Sequence, residues 1–210
     1  MFTIIMSTID ERKKGIFIKK NIFATIGVNC KKTTENRQYH DYYATEPKAL
    51  ELLLLEENFC STIWECACGE GHLSKVLQKH GFNVISTDLI YRGFGTKKSV
   101  DFLAQEFTNF TGDIITNPPY KLALQFIEKA LHIVAPGQKV AMLLRLQFLE
   151  GKTRKNFFLL NPPKKIYVSS SRLHCAKNGK FEKNPPNAIA YAWFVWEKGF
   201  QGNPIIKWFN

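Results

Sequence analysis

The chain has 210 residues, of which 45% are hydrophobic and 22% are charged, so it is long and apolar enough to bury a core. These proportions exclude a collagen-like or intrinsically unfolded chain, and no apolar run approaches the roughly 20 residues of a membrane helix. Lys and Arg total 29 against 18 Asp and Glu, giving a net charge of +11. That excess favours a polyanionic partner, nucleic acid before an anionic membrane surface.

The first predicted elements lie at the amino-terminal end. Residues 1–40 are basic and weakly patterned, and we interpret them as an N-terminal arm. From residue 41 the pattern changes, and Thr45 is expected to cap a helix that begins with Glu46 and Pro47. The Leu-rich run that follows predicts a helix over 47–58.

Strands and helices then alternate along the chain. Strands are predicted at 61–65, 83–88, 113–116 and 139–144, and helices at 72–80 and 121–134. This alternation predicts an α/β fold with a parallel, doubly wound sheet. Strands predicted at 165–169 and 188–196 are separated by turn-prone residues without a helix, so we expect them to pair antiparallel. Residues 201–210 are expected to form a C-terminal tail.

The five cysteines are an odd number at irregular positions. Cys66 and Cys68 are separated by one residue, too close for a standard zinc pair, so we expect no metal site. The N-terminus reaches Asp10 and Glu11 before an adequate apolar core, which argues against a signal peptide. We therefore expect a cytoplasmic protein with reduced thiols and no membrane partner.

The first candidate site is a glycine-bearing loop between a predicted strand and helix, with Glu65, Ala67, Gly69 and Gly71 at alternate positions. Glycines let a ligand approach the backbone, and a helix N-terminus offers free N–H groups. Asp88 ends the next strand, where a carboxylate can accept from ribose hydroxyls. Either feature alone is also an ordinary turn or cap. Together they favour an adenosine-bearing cofactor.

The second candidate site is the tetrapeptide Asn117-Pro118-Pro119-Tyr120, which directly follows a predicted strand. Two successive prolines lack N–H groups and fix φ, so the loop is stiff. The Asn117 side-chain oxygen and the Pro118 carbonyl are then able to bind one amino group, and Tyr120 supplies a flat face for a base. The alternative is a proline-rich turn with an exposed Tyr.

The order of these motifs resembles class I S-adenosylmethionine-dependent methyltransferases that act on exocyclic amino groups of DNA bases. The resemblance covers roughly residues 22–200 and implies a Rossmann-like, mostly parallel, seven-stranded sheet with an antiparallel last strand. It places the catalytic domain at 41–200. The segment 41–47 is similar to the corresponding piece of small phage and prophage adenine methyltransferases.

The resemblance implies the roles of individual residues. Asn117, Pro118, Pro119 and Tyr120 match the catalytic tetrapeptide. Asp101 would accept from the cofactor's adenine amino group, and Phe102 would pack on its face. The implied cofactor is S-adenosylmethionine, with no metal, and the implied cofactor-binding residues are Tyr43, Thr45, Glu65, Ala67, Gly69, Gly71, Asp88, Asp101 and Phe102.

Basic residues and asparagines are concentrated in the last third of the chain, a composition that suits phosphate contacts and base reading. The loop 170–187 is the best candidate for target recognition; a solvated charged loop is the alternative. The candidate nucleic-acid-binding residues are Arg145, Arg154, Arg172, Lys177, Lys180 and Lys183.

The sequence therefore favours an enzyme that methylates the exocyclic amine of adenine in DNA after the base leaves its stack. The tetrapeptide is specific for planar amino or amide nitrogens and does not separate adenine from cytosine. Methyltransferases that act on RNA or on a protein glutamine share the same device. A non-catalytic DNA-binding module of the same fold is the remaining alternative.

Overall fold

A seven-stranded mixed sheet forms the centre of the computed structural model, which describes residues 43–173, 175–177 and 189–210. The N-terminal arm predicted at 1–40 lies outside the described residues. Most of the predicted recognition loop 170–187 also lies outside them, and both stay predictions.

Within the described ranges, the strands are β1 (Tyr43–Thr45), β2 (Thr62–Glu65), β3 (Asn83–Ser86), β4 (Asp113–Thr116), β5 (Lys139–Arg145), β6 (Lys165–Ser169), β7 (Cys175–Lys177), β8 (Tyr191–Glu197) and β9 (Ile205–Phe209). The helices are α1 (Pro47–Glu56), α2 (His72–Lys79), α3 (Ala123–Ile133) and α4 (Lys152–Leu160), with short 3₁₀ helices at Tyr120–Leu122 and Leu146–Leu149. None of these helices is both long and apolar enough to cross a membrane.

The strands of the sheet follow the order β3-β2-β4-β5-β8-β6-β9. Neighbours from β3 to β5 are parallel, β8 is antiparallel to both β5 and β6, and β9 is parallel to β6. A single reversed strand in a mostly parallel sheet confirms the predicted fold class. It also confirms the antiparallel pairing expected for the strand predicted at 188–196.

The last ten residues depart from the expected tail. Ile205–Phe209 form β9, which pairs with β6 in register from Lys165↔Ile205 to Ser169↔Phe209. Residues rich in β-branched and aromatic side chains favour an extended backbone, and the open edge of β6 supplies its hydrogen-bond partners. Phe209 is only 4% exposed and anchors the strand in the core.

Both faces of the sheet are covered, so the central strands bury side chains in both directions. In β5, Val140 and Met142 pack with helix α3 on one face, whereas Ala141 and Leu143 pack with α1 and α2 on the other. This alternation follows from the two-residue repeat of a strand. The candidate motifs therefore follow strands that are packed on both faces.

Strand β1 corrects the expectation for Thr45. Helix α1 has Glu46 rather than Thr45 at its N-cap, without a side-chain capping bond. Thr45 lies in β1, which pairs antiparallel with β7 from Tyr43↔Lys177 to Thr45↔Cys175. Its hydroxyl is therefore directed to a different partner, described below.

Candidate active site

The two candidate motifs meet at the carboxyl ends of β2, β3 and β4, the edge at which doubly wound sheets bind ligands. A cavity of about 330 Å³ lies there, within the size range of small-molecule sites. Gly69 and Gly71 do not line this cavity, although residues next to them in the sequence do. The other predicted cofactor and catalytic residues all line it: Tyr43, Thr45, Glu65, Ala67, Asp88, Asp101, Phe102, Asn117, Pro118, Pro119 and Tyr120.

The glycine loop is shaped by left-handed backbone at two positions, Gly69 with φ 55° and Gly71 with φ 78°. A Cβ added at Gly71 would lie 2.3 Å from the ring of Phe94, so both the backbone and the packing require glycine there. The Gly69 N–H donates to Asp88 Oδ2 at 2.8 Å. That N–H is thus occupied within the protein, and it locks the loop to the end of β3.

Asp88 is held from three directions. Besides Gly69, the Ile90 N–H donates to Oδ1 at 2.9 Å and Arg92 Nη1 donates to Oδ1 at 3.0 Å. A carboxylate has about four acceptor positions, so about one remains for a hydroxyl in the cavity. Asp88 is therefore a fixed acceptor on the wall, with less spare capacity than two ribose hydroxyls would use.

Glu65 lines the cavity and is 2% exposed. It accepts a hydrogen bond from the Ser74 hydroxyl, which also lies 2.6 Å from the Ser86 hydroxyl. Burial raises the pKa of the Glu65 carboxyl to about 8, because desolvation disfavours the charged form. A cationic ligand group beside it would lower that pKa and ionise the carboxyl.

Phe102 and Asp101 form another part of the wall. Phe102 is buried, with its ring centroid 5.2 Å from that of Trp64 and 5.1 Å from that of Phe126. Asp101 is exposed at the rim, and its Oδ1 accepts from the Leu103 N–H at 2.9 Å. The pair thus combines an acceptor open to solvent with a fixed aromatic surface.

Asn117 is oriented by strand β1. Its Nδ2 donates to the Tyr43 carbonyl and to Thr45 Oγ1, both at 2.9 Å. Because a carbonyl only accepts, the NH₂ group must face Tyr43, and the amide orientation is determined. Within the described part of the chain, the remaining atom, Oδ1, is buried without a hydrogen-bond partner. An unpaired buried acceptor is costly, so this atom is available to a donor on a ligand.

This contact between Asn117 and β1 was missed by the sequence analysis, which assigned Tyr43 and Thr45 to the cofactor. Both residues do line the cavity. The Tyr43 contact uses a backbone carbonyl, which every residue type carries, so no sequence signal could reveal it. A hydroxyl-bearing residue at position 45 was the single available clue, and it was interpreted as a helix cap.

Tyr120 packs against neighbouring side chains and forms part of the cavity lining, so it does not stand exposed to solvent. Its hydroxyl donates to Cys175 Sγ at 3.5 Å, and burial raises the pKa of that hydroxyl. Its ring centroid lies 6.0 Å from that of Tyr43 and 4.9 Å from the Arg145 guanidinium. The ring is therefore fixed on several sides before any ligand binds.

Two of the predicted nucleic-acid-binding residues lie beside the tetrapeptide. Arg145 ends β5, and Arg154 comes from the first turn of α4; both line a second cavity of about 210 Å³ that also includes Tyr120. Arg172 is exposed and lines neither cavity. Only the backbone of Lys177 is described, in β7, and Lys180 and Lys183 lie outside the described residues.

The cysteines of the glycine loop are free thiols, and both line the larger cavity. Burial raises the pKa of Cys66 well above its ordinary value and that of Cys68 to about 12. Both thiols stay protonated near neutral pH and are poor nucleophiles. The parts of the chain that the structure describes contain no cluster of three His, Cys, Asp or Glu side chains able to hold a metal ion.

Neither a protein-family model nor a curated protein matches the chain. Solved structures match its fold. A Listeria monocytogenes protein assigned to the class I S-adenosylmethionine-dependent methyltransferases has a TM-score of 0.53 at 15% identity, covering 91% of this chain and 72% of its own. A Lactococcus lactis protein assigned as a hemolysin has a TM-score of 0.54 at 13% identity, covering 77% and 91%.

A third match is the methyltransferase subunit of a type I restriction-modification system from Streptococcus thermophilus, with a TM-score of 0.56 at 14% identity. The match covers 81% of this chain and 48% of the subunit, so this chain spans about half the length of that protein. At such identities the likeness shows the fold. The chain has the Rossmann-like methyltransferase fold that the sequence predicted.

Proposed function

We propose that this protein is an S-adenosylmethionine-dependent methyltransferase that methylates the exocyclic amino group of adenine in DNA. The observation that carries the proposal is the unpaired, buried Oδ1 of Asn117, in a cavity that Asp88 and the glycine loop help to form. The fold is that of methyltransferases. The matched subunit from a restriction-modification system favours DNA as the substrate.

The residues present fit the cofactor. The cavity of about 330 Å³ lies beside the glycine loop, and its lining includes the carboxyl groups of Glu65 and Asp88 and the ring of Phe102. Asp88 retains acceptor capacity for a ribose hydroxyl, and Phe102 offers a buried ring to an adenine. When bound, S-adenosylmethionine supplies an electrophilic methyl group on a sulfonium centre. Glu65, Asp88, Asp101 and Phe102 would hold it.

Asn117 addresses the main chemical obstacle, which is that the lone pair of an aromatic amine is delocalised into the ring. Oδ1 accepts one amino N–H, and the Pro118 carbonyl accepts the other. Two acceptors on one nitrogen favour a more tetrahedral geometry and orient the lone pair. Because Tyr43 and Thr45 hold the amide in place beforehand, its dipole is preorganised, and preorganised dipoles are usually the largest single contribution to an enzyme's rate enhancement.

Two features favour nucleic acid over a protein glutamine as the acceptor. The net charge is +11, and Arg145 lies against the ring of the catalytic Tyr120. A base inside a duplex cannot reach a cavity of this kind, so the adenine leaves its stack or comes from a single strand. Methylation of RNA remains the second candidate, because phosphate contacts do not distinguish the two polymers.

The test is transfer of tritiated methyl groups from S-adenosylmethionine to unmethylated genomic DNA, to RNA and to protein in parallel reactions. Digestion of labelled DNA to nucleosides separates methyladenine from methylcytosine. We expect label in methyladenine, and at least about a hundredfold less label with the Asn117→Ala variant. Label in RNA or protein alone would refute the choice of substrate. Absence of label in all three, with folded protein, would refute the enzyme itself.

A further inference from the structure

The second cavity, of about 210 Å³, shares Tyr120 with the first and has a different character. Its polar walls are Arg145, Gln147 and Arg154, and none of the described residues that line it is acidic. Two guanidinium groups thus face one small space next to the catalytic tetrapeptide. Such a space favours an anion.

Both arginines are positioned without a ligand. Arg154 donates from Nε to the Phe148 carbonyl at 2.8 Å and from Nη2 to the Gln147 and Glu150 carbonyls, and its guanidinium lies 4.8 Å from the Phe148 ring centroid. Arg145 lies over Tyr120, and its Nε is buried without a hydrogen-bond partner among the residues that the structure describes. No ion pair joins either arginine to an acid in the described ranges. Arg154 is thus a fixed positive charge, and the planar guanidinium of Arg145 suits a phosphate group.

We infer that this cavity binds a phosphate of the substrate, directly beside the position of the target amine; the inference rests on the proposed function. A nucleotide carries an amino-bearing base and a phosphate on one sugar, so it can occupy both cavities that Tyr120 lines. A protein glutamine has no such anion. The phosphate oxygens also provide the hydrogen-bond acceptor that Arg145 Nε lacks.

The test uses a single-stranded oligodeoxynucleotide with one adenine, saturating S-adenosylhomocysteine and fluorescence anisotropy. A neutral methylphosphonate replaces the phosphate on the 5′ or the 3′ side of that adenosine. We expect one of these replacements to weaken wild-type binding about tenfold, the size of one charge-assisted contact. Arg145→Gln should bind the unmodified strand about tenfold more weakly and be insensitive to the same replacement.

Arg145→Lys keeps the charge but not the planar fork, so its affinity and its sensitivity to the methylphosphonate should lie between those of wild type and Arg145→Gln. It replaces Arg145→Gln in the test if that variant does not fold. The matched control is Lys155→Gln, because Lys155 is exposed on the same helix as Arg154 and does not line the cavity. It should stay as sensitive to the methylphosphonate as wild type. If Arg145→Gln and Arg145→Lys are equally sensitive too, the inference is overturned.

A second arm compares adenosine 5′-monophosphate and adenosine 3′-monophosphate with adenosine by calorimetry, again with S-adenosylhomocysteine bound. A wild-type preference for either monophosphate that Arg145→Gln loses supports the phosphate site, and equal affinities for all three overturn it. This readout needs no methyl transfer. If either monophosphate binds in this way and DNA is never methylated, the phosphate site stands with a free nucleotide as its ligand, and the proposed function fails.

Discussion

Asn117 and Thr45 are joined by a hydrogen bond of 2.9 Å across 72 residues of sequence. Thr45 lies in β1, and β1 is paired with β7, whose first residue, Cys175, accepts from the Tyr120 hydroxyl. Both ends of the tetrapeptide are therefore held by one two-stranded ribbon. The orientation of the proposed catalytic amide depends on this ribbon as well as on the strand that precedes it.

The first prediction concerns Thr45 as a positioning residue. Thr45→Val keeps the shape and removes the hydroxyl, so Asn117 loses one of its two acceptors. We expect kcat to fall about tenfold while the affinity for S-adenosylmethionine is unchanged. Thr45→Ser should restore most of the rate. Steady-state kinetics and calorimetry measure both quantities, and a Ser variant as slow as the Val variant would contradict the role.

The second prediction concerns Asn117 itself. Asn117→Ala removes the unpaired Oδ1 and should lower methyl transfer by roughly two or more orders of magnitude, as expected for loss of a preorganised polar group. The loss of its bonds to β1 should cost only about 1–2 kcal/mol of stability. Cofactor affinity should stay the same. Transfer at the wild-type rate would refute the catalytic assignment.

The third prediction separates two glycines with similar backbone. Gly71 and Gly81 have φ of 78° and 84°, but a Cβ meets the Phe94 ring at Gly71 and nothing within 4 Å at Gly81. Gly71→Ala should therefore weaken cofactor binding by at least about tenfold, since the loop must shift. Gly81→Ala should lower the melting temperature through backbone strain and leave binding unchanged. Calorimetry with S-adenosylhomocysteine distinguishes the two, and equal effects would place the loop outside the cofactor site.

The fourth prediction concerns Tyr120. Its hydroxyl donates to the weakly accepting thiol of Cys175 at 3.5 Å and also interacts with the Tyr191 hydroxyl. Tyr120→Phe should therefore keep most of the transfer activity. Tyr120→Ala removes the ring between both cavities and should lower transfer about tenfold to a hundredfold, the range for loss of one base-stacking ring. A Phe variant as impaired as the Ala variant would show that the hydroxyl, not the ring, matters.

The fifth prediction is a pH dependence of stability away from the site. Burial alone would raise the pKa of Glu57, but hydrogen bonds from Lys139, Lys165 and Tyr167 lower it from 4.5 to about 2. Its contribution to stability is therefore complete above pH 4.5 and is lost as the pH falls through about 2. Glu57→Gln should destabilise the protein by about 3 kcal/mol near neutral pH.

Thermal melting across that pH range checks the sign, because the difference between wild type and Glu57→Gln should shrink on acidification. The neighbouring Glu56→Gln is the control. Glu56 forms an exposed ion pair with Lys207 at 3.7 Å, so its loss should cost less than about 1 kcal/mol. A constant difference between wild type and Glu57→Gln down to pH 2 would contradict the ionised cluster.

The sequence by itself predicted the alternation of elements and the position of each motif. Helix α1 begins at Pro47, β4 covers Asp113–Thr116 and β6 covers Lys165–Ser169, all as expected. These signals are local, because hydrophobic periodicity, proline and glycine act on neighbouring residues. The same signals failed for α4, which buries only Phe157, so its charged residues obscured the helix.

Tertiary structure alone decided how the site is organised. The bond from Asn117 to the Tyr43 carbonyl, the contact of Arg145 with Tyr120 and the addition of β9 to the sheet edge all join residues distant in the chain. Backbone carbonyls and open strand edges occur with every residue type, so no sequence motif identifies their partners. The sequence determined which residues reach the carboxyl edge of the sheet, and packing across the sheet determined which of them hold one another there.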